Sequence, residues 1–155
     1  MKIFLGADHR GFELKEFIKK ELLRKKIEII DCGAYFYDPN DDYVDFAIKV
    51  GESVIRNKNS LGILICGSGA GVCFSVNKVK GIRGALCYNE EMVKKAKEDD
   101  DINVICLASD FIDSEKALKM IDVFLTTNFK NEEKYLRRIN KIKNYENGSS
   151  SNPFC

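Results

Sequence analysis

Five short apolar segments alternate with amphipathic stretches along this chain, and this alternation constrains its fold more than any other feature. The most apolar segment, Leu61–Cys66, ends at a glycine, whereas Phe12–Lys26 places apolar residues at helical spacing between charged ones. Strands alternating with helices are typical of a parallel sheet that is covered by helices on both faces. Because crossovers are right-handed, we predict an α/β fold, namely a three-layer αβα sandwich with a five-stranded, Rossmann-like parallel sheet and an extra C-terminal helix.

The alternation also predicts where each element lies. Strands are predicted at residues 2–7, 27–32, 61–66, 83–87 and 102–108, and helices at residues 12–26, 43–57, 72–78, 90–97, 114–126 and 132–145. A chain of 155 residues suits one domain, which we assign to residues 1–146. Residues 147–155 are small and polar, and we expect them to form a disordered tail.

The charge balance argues against nucleic acid or a membrane surface as the main partner. The chain has 25 Lys and Arg against 24 Asp and Glu, a formal net charge of +1. No apolar run approaches the roughly 20 residues that span a bilayer. Charged residues follow the initial Met too early for a signal peptide. We therefore expect a cytoplasmic protein.

The six cysteines do not indicate a disulfide framework or a metal site. Without a secretion signal, an intracellular chain of this size keeps its thiols reduced. The sequence has no C-x-x-C pair, and His9 is its single histidine. We predict that no metal is bound.

In open α/β sheets, ligands bind beyond the carboxyl ends of the strands. Three loops should meet at that edge: residues 8–11 after the first strand, residues 66–71 after the third and residues 109–110 after the fifth. The loop at residues 67–71 has three glycines, whose backbone N–H groups can converge on a phosphate or a developing oxyanion. The alternative is a tight turn without a ligand. The loop is not a G-x-G-x-x-G fingerprint, because residue 74 is Phe.

Polar residues near that edge offer candidates for chemistry. Cys66 lies at the mouth of the glycine loop, where oriented N–H groups stabilise a thiolate that acts as a base or nucleophile; an inert strand-end cysteine is the alternative. Asp8 and His9 could hold sugar hydroxyls or a phosphate. In the last helix, Lys134 and Arg138 are four residues apart and share a face that could bind an anion, or they belong to a solvated basic helix.

Taken together, these motifs are similar to those of ribose-5-phosphate isomerase type B, whose family includes the galactose-6-phosphate isomerase subunits. The resemblance covers about residues 2–143 of the chain. Its motifs are GADHRGFELK at 6–15, DY at 42–43, GILICGSGAG at 62–71, NK at 77–78, GIR at 81–83, NV at 103–104 and RRI at 137–139.

The resemblance implies an aldose–ketose isomerisation in the non-oxidative pentose phosphate pathway. Ribose 5-phosphate and ribulose 5-phosphate interconvert through a cis-enediolate, without a metal or an organic cofactor. The implied assembly is a homodimer, or a tetramer of such dimers, with sites shared across the dimer interface. The resemblance implies that Cys66 is the base and that Ser68 supports it. It implies that the backbone N–H groups of the glycine loop stabilise the enediolate, namely those of Gly67, Gly69, Ala70 and Gly71. It also implies that the sugar is contacted by Asp8 and Tyr43, and the phosphate by His9, Lys134 and Arg138.

The chain departs from the family pattern at the ring-opening acid. It has Asp99-Asp100 where the family has His-Asn. We count both with the site: Asp100 as a substrate contact, and Asp99 as the ring-opening acid on condition that burial or neighbouring carboxylates raise its pKa. The alternative is that both are solvated loop carboxylates.

The phosphate clamp departs from the pattern as well. Asp110 replaces an arginine, and a carboxylate there would repel a phosphate. The first arginine of the pair in the last helix falls on Glu133 or Lys134. We choose Lys134 with Arg138, which keeps the four-residue spacing, and Arg137 is an alternative. A lysine lacks the two-pronged guanidinium. These changes leave two further hypotheses: an isomerase of the same fold for a different sugar or sugar phosphate, or a catalytically silent sugar-phosphate-binding member or partner subunit.

Overall fold

The computed structural model describes residues 1–149, so most of the predicted tail, including Cys155, lies outside the described residues. The sheet has the strand order β2-β1-β3-β5-β4, and every pair is parallel. This architecture confirms the predicted fold class. The elements are β1 (Lys2–Ala7), α1 (Phe12–Arg24), β2 (Glu28–Asp31), α2 (Tyr43–Arg56), β3 (Ser60–Cys66), α3 (Ala70–Val76), β4 (Gly84–Leu86), α4 (Glu90–Asp100), β5 (Val104–Ala108), α5 (Ser114–Thr126) and α6 (Glu133–Glu146).

Side chains alternate across the central strands and divide the core between two helical layers. Ile63 and Ile65 point into the cluster formed with α1, α4 and α5. Leu64 and Cys66 point the other way, into the cluster formed with α2 and α3. Because strand side chains have a period of two, the continuous apolar sequence of β3 is buried on both faces.

Side-chain hydrogen bonds fix the start of α4 and α5 and the end of α4. Asn89 caps α4 by accepting the Met92 N–H at 2.8 Å, and Asp113 caps α5 in the same way through the Lys116 N–H. Helix α4 ends three residues later than predicted, at Asp100, because Lys97 reaches the Asp101 carboxylate and the Ile102 carbonyl at 3.2 and 2.8 Å. The run of aspartates therefore ends a helix and does not form a loop.

The C-terminal helix packs on the sandwich beside α4. Tyr135 and Ile139 are its buried residues, and the Glu146 carboxylate accepts the backbone N–H of Gly81 at 3.1 Å. This placement confirms the extra C-terminal helix. Over residues 1–149, no helix combines the length and the apolar character that crossing a membrane requires.

Candidate active site

The loops after β1, β3 and β5 lie side by side, because these three strands are neighbours in the sheet. The backbone N–H of Asp8 donates to Ile65 O at 3.3 Å, and that of Ser109 donates to Cys66 O at 3.0 Å. The expectation that these loops share the carboxyl edge of the sheet is confirmed.

The glycine loop adopts a conformation that other residues rarely take. Gly69 precedes α3 with φ at +71°, and a Cβ there would lie 3.1 Å from the backbone of Leu107. The Ser68 hydroxyl accepts the Ala70 N–H at 3.3 Å. Within residues 1–149, the backbone N–H groups of Gly67 and Gly71 donate to no other part of the chain. The loop therefore keeps donors available for an anion.

Cys66 and Tyr43 meet the glycine loop from the α2 and α3 side. Cys66 is 3% exposed and belongs to the apolar cluster against which Tyr43 packs. The Tyr43 ring lies directly over Gly71, where a Cβ would be 2.9 Å from the ring carbons. Phe74 holds the same ring edge-on, at 6.0 Å between ring centroids. The structure thus brings together a thiol, a phenol and backbone donors.

Asp8 lies at the end of β1 with its carboxylate withdrawn from solvent. It is 4% exposed and accepts the Gly11 N–H at 3.0 Å. Burial raises the pKa of Asp8 above its ordinary value, although the Gly11 hydrogen bond and the neighbouring His9 oppose this shift. A buried carboxylate at this edge of the sheet can accept hydrogen bonds from sugar hydroxyls.

His9 is held by a residue that the sequence motifs did not indicate. Asp41 Oδ1 lies 2.9 Å from the backbone N of His9 and 2.7 Å from its Nδ1 atom. Tyr37 packs its ring edge-on against the imidazole, at 6.3 Å between centroids. Both residues come from the loop at residues 32–42, in which the acidic sequence DPNDD resembles an ordinary turn. Nothing in the sequence distinguishes Asp41 from its acidic neighbours.

Arg10 is a second residue that the sequence reading missed. Its guanidinium forms an ion pair with Asp110, and both side chains lie over Gly67. The expected repulsion between Asp110 and a phosphate is therefore offset within the chain, because a cation neutralises this carboxylate. The position of Arg10 directly after Asp8-His9 was the available signal.

The basic residues of α6 form a separate group around one aromatic ring. Lys134 Nζ lies 4.6 Å from the Tyr135 ring centroid, and the Arg138 guanidinium carbon lies 5.8 Å from it. The two therefore share a face, as their spacing predicts. Arg137 pairs with Glu133 at 3.6 Å instead. Lys134 also pairs with Glu132 at 3.0 Å, and this carboxylate, together with Tyr135, raises the pKa of Lys134.

Asp99 and Asp100 lie at the opposite edge of the sheet from Cys66, because they end α4, just before the amino end of β5. Lys130 Nζ lies 3.3 Å from Asp99 Oδ1. Loss of solvent acts to raise the pKa of Asp99, but hydrogen bonds from Tyr135 and Lys130 outweigh it and the pKa is lowered. In a single chain, Asp99 therefore lacks the raised pKa that a ring-opening acid requires. The chain places neither aspartate, nor Lys134 and Arg138, beside the glycine loop.

The remaining thiols in the described residues are free. A hydrogen bond with Cys106 lowers the pKa of Cys73 to about 7, although burial opposes it. Burial raises the pKa of Cys87 to about 12. Residues 1–149 contain no cluster of three or more His, Cys, Asp or Glu side chains arranged to hold a metal ion.

Comparison with known proteins identifies the family. Residues 3–142 match the Ribose/Galactose Isomerase family. A probable ribose-5-phosphate isomerase B from Mycoplasma genitalium is 43% identical over 145 residues, covering 93% of this chain and 95% of that protein. Ribose-5-phosphate isomerase B from Mycobacterium tuberculosis is 36% identical over 153 residues, covering 99% and 94%.

Two solved structures share the fold closely. The crystal structure of ribose-5-phosphate isomerase B from Mycoplasma genitalium, with bound ribulose-5-phosphate, has a TM-score of 0.90 at 43% identity and covers 94% of this chain and 96% of that one. The enzyme from Thermotoga maritima has a TM-score of 0.88 at 40% identity, with coverage of 92% and 97%. The chain therefore belongs to the ribose/galactose isomerase family, as an aldose–ketose isomerase of the ribose-5-phosphate isomerase B type.

Proposed function

We propose that this chain interconverts ribose 5-phosphate and ribulose 5-phosphate with Cys66 as the base. Support for the proposal comes from Cys66, which directly precedes the glycine loop and belongs to the buried cluster against which Tyr43 packs. Within residues 1–149, the N–H groups of Gly67 and Gly71 in that loop donate to no other group. A thiolate next to oriented donors can move a proton, and the same donors stabilise the charge that develops on the sugar oxygens.

The reaction moves one proton between two carbons. The Cys66 thiolate removes the proton from C2 of the open-chain aldose, the C2–H electrons form the C1–C2 double bond, and the carbonyl electrons move to O1. The result is a cis-enediolate. A proton passes from O2 to O1, and the Cys66 thiol returns its proton to C1, which gives the ketose. The base ends in its starting form, so the step needs no redox partner.

The other site residues support this proton transfer or bind the substrate. The Ser68 hydroxyl and the N–H groups of Gly67, Gly69, Ala70 and Gly71 support the thiolate and the enediolate. Asp8 and Tyr43 contact the sugar, and His9 contacts the phosphate. The bound ribulose-5-phosphate of the Mycoplasma genitalium protein supports a ligand of this class.

We further propose a homodimer in which each site is completed by the partner. Lys134 and Arg138 lie away from the glycine loop of their own chain, so a second copy is needed to bring this phosphate clamp to it. The aspartates at 99 and 100 lie away from the loop as well and would come from the same partner. Exposed aromatic side chains around the carboxyl edge offer an apolar surface for that copy. They are Tyr35, Phe36, Tyr37, Phe74 and Phe111.

Mixed dimers test both proposals together. Cys66→Ala and Arg138→Ala each impair every site of their own homodimer. After mixed refolding, half of the dimers carry one intact site, so about a quarter of the wild-type activity should return. Recovery no greater than the sum of the two inactive variants would contradict the shared site. Lys141→Ala, a change on the same helix, is the matched control and should stay active.

Turnover by the wild type is measured first, with ribose 5-phosphate beside other aldose phosphates. Activity on another sugar alone would support the different-sugar hypothesis. Binding of a sugar phosphate without turnover, detected as a raised melting temperature, would support the silent-subunit hypothesis.

A further inference from the structure

Asp41 binds His9 through two hydrogen bonds to one oxygen. Its Oδ1 atom accepts the backbone N–H of His9 at 2.9 Å and lies 2.7 Å from Nδ1. The Asp41 side chain is only 10% exposed, and its Oδ2 atom is buried with no partner in the described residues. The carboxylate is therefore directed at His9 alone.

This geometry fixes which ring nitrogen carries hydrogen. A carboxylate is an acceptor, so the Nδ1 atom that faces it is the donor. The Nε2 atom makes no hydrogen bond within residues 1–149, and the imidazole side chain is 25% exposed. Nε2 is consequently the ring nitrogen that remains for a ligand.

The loop that carries Asp41 is built to stay in place. The Lys15 side chain is fully buried, and its ammonium reaches both Asp31 and the Ala34 carbonyl at the start of the loop. Asp38 closes a turn just before Asp41 by accepting the Asn40 N–H at 3.0 Å. With Tyr37 against the ring, the loop restrains the imidazole from two sides.

We propose that Asp41 is a positioning residue: it accepts the Nδ1–H of His9 and thereby turns Nε2 toward the phosphate group of the substrate. An anion on Nε2 also needs a donor. The Asp41 carboxylate on Nδ1 favours the ring form in which Nε2 donates as well, because an acceptor at each nitrogen is satisfied only when both nitrogens donate. This inference rests on the proposed function, because it deepens the phosphate role given there to His9.

Nitrogen-15 NMR of the imidazole tests the proposal without reference to activity. His9 is the one histidine in the sequence, so both ring resonances are assigned without ambiguity. In the neutral wild-type protein we expect hydrogen on Nδ1, and after addition of inorganic phosphate we expect protonation of both nitrogens. Asp41→Ala should shift the neutral ring toward the Nε2–H form, and Asp41→Asn, which keeps an acceptor oxygen, should retain Nδ1–H. A neutral wild-type ring with hydrogen on Nε2 would overturn the proposal.

Kinetics supply the second readout. Asp41→Ala should raise KM for ribose 5-phosphate about tenfold with a smaller change in kcat, because a charge-assisted contact to the phosphate is weakened. Asp41→Asn should restore part of this loss. Asp45→Asn, the matched control on the exposed first turn of α2, should leave KM and the ring resonances unchanged. An unchanged KM in Asp41→Ala would also overturn the proposal.

The two readouts separate this inference from the proposed function. If the wild type turns over no ribose 5-phosphate while the imidazole resonances behave as expected, the substrate assignment has failed and the tautomer assignment stands. If turnover is normal and Asp41→Ala alters neither readout, the isomerase stands and the positioning role is wrong.

Discussion

Arg10 and Asp110, one hundred residues apart in the chain, form an ion pair directly over Gly67. Arg10 belongs to the loop after β1 and Asp110 to the loop after β5, and the Ser109 hydroxyl ties the two loops together by donating to the Arg10 carbonyl at 3.0 Å. The pair places no net charge next to the glycine loop. Arg10 thereby cancels the charge of the Asp110 carboxylate, which would otherwise repel a phosphate.

Removing the cation of this pair should weaken substrate binding. Arg10→Ala leaves Asp110 as an uncompensated negative charge near the phosphate, so we expect KM for ribose 5-phosphate to rise about tenfold, and more at low salt. Steady-state kinetics at two ionic strengths measures this effect. The double variant Arg10→Ala/Asp110→Ala removes both charges and should return KM toward the wild-type value. A double variant as impaired as Arg10→Ala would show that Arg10 acts on the substrate directly and not by neutralising Asp110.

The buried Lys15 should be a main contributor to the stability of the loop at residues 32–42. Lys15→Met removes the ammonium that binds Asp31 and the Ala34 carbonyl, and we expect the free energy of unfolding to fall by about 3 kcal/mol. Lys19 also binds Asp31, at 2.6 Å, but it is 31% exposed, so Lys19→Met should cost below about 1 kcal/mol. Urea unfolding of both variants makes the comparison. Equal losses of unfolding free energy in the two variants would contradict the claim that burial makes Lys15 the more important of the two lysines.

The lowered pKa of Asp31 predicts how the stability provided by its ion pairs with Lys15 and Lys19 depends on pH. Burial acts to raise the pKa of Asp31, but Lys19, the Gly33 N–H and Lys15 outweigh it and hold the pKa below its ordinary value of 3.8. The folded state therefore favours the ionised carboxylate, and its contribution is complete above pH 3.8 and is lost as the pH falls through the lower folded-state pKa. We expect the stability difference between wild type and Asp31→Asn to be constant near neutral pH and to shrink in acid. A difference that grows as the pH falls would contradict this sign.

Cys73 should react with small alkylating reagents in a pH window unlike that of Cys87. The thiolate is the reactive form, and the pKa values of the two thiols are about 7 and about 12. Iodoacetamide labelling of the Cys73 peptide should rise through pH 7 to a plateau, and the Cys87 peptide should stay unlabelled up to pH 9. Mass spectrometry of each peptide measures both, with Cys73→Ser to confirm the assignment. A Cys73 profile that rises only above pH 9 would contradict the lowered pKa.

The fold was readable from the sequence because the period of the apolar residues depends on local geometry. Buried strands such as Leu61–Cys66 and the stripe of α2 carry that period without reference to distant residues. The glycine loop was readable because a glycine-rich run after a strand is itself a local pattern, and glycine takes the positive φ of Gly69 without strain.

The missed residues depend on contacts that no local pattern encodes. Asp41 meets His9 across 32 residues, and Arg10 meets Asp110 across 100. A charged loop residue looks the same in sequence whether it is solvated or paired. The same reason explains Asp99, whose neighbours Lys130 and Tyr135 come from beyond β5 and lower its pKa, although its acidic neighbours in sequence suggested the opposite shift.

The central claim is that the Cys66 thiol moves the C2 proton. Proton exchange at C2 of ribose 5-phosphate in deuterated water, followed by NMR with wild type and Cys66→Ala side by side, tests it most directly. We expect exchange with the wild type and none with Cys66→Ala, while inorganic phosphate still protects both proteins from thermal unfolding to a similar extent. Undiminished exchange in Cys66→Ala would contradict the assignment of the base.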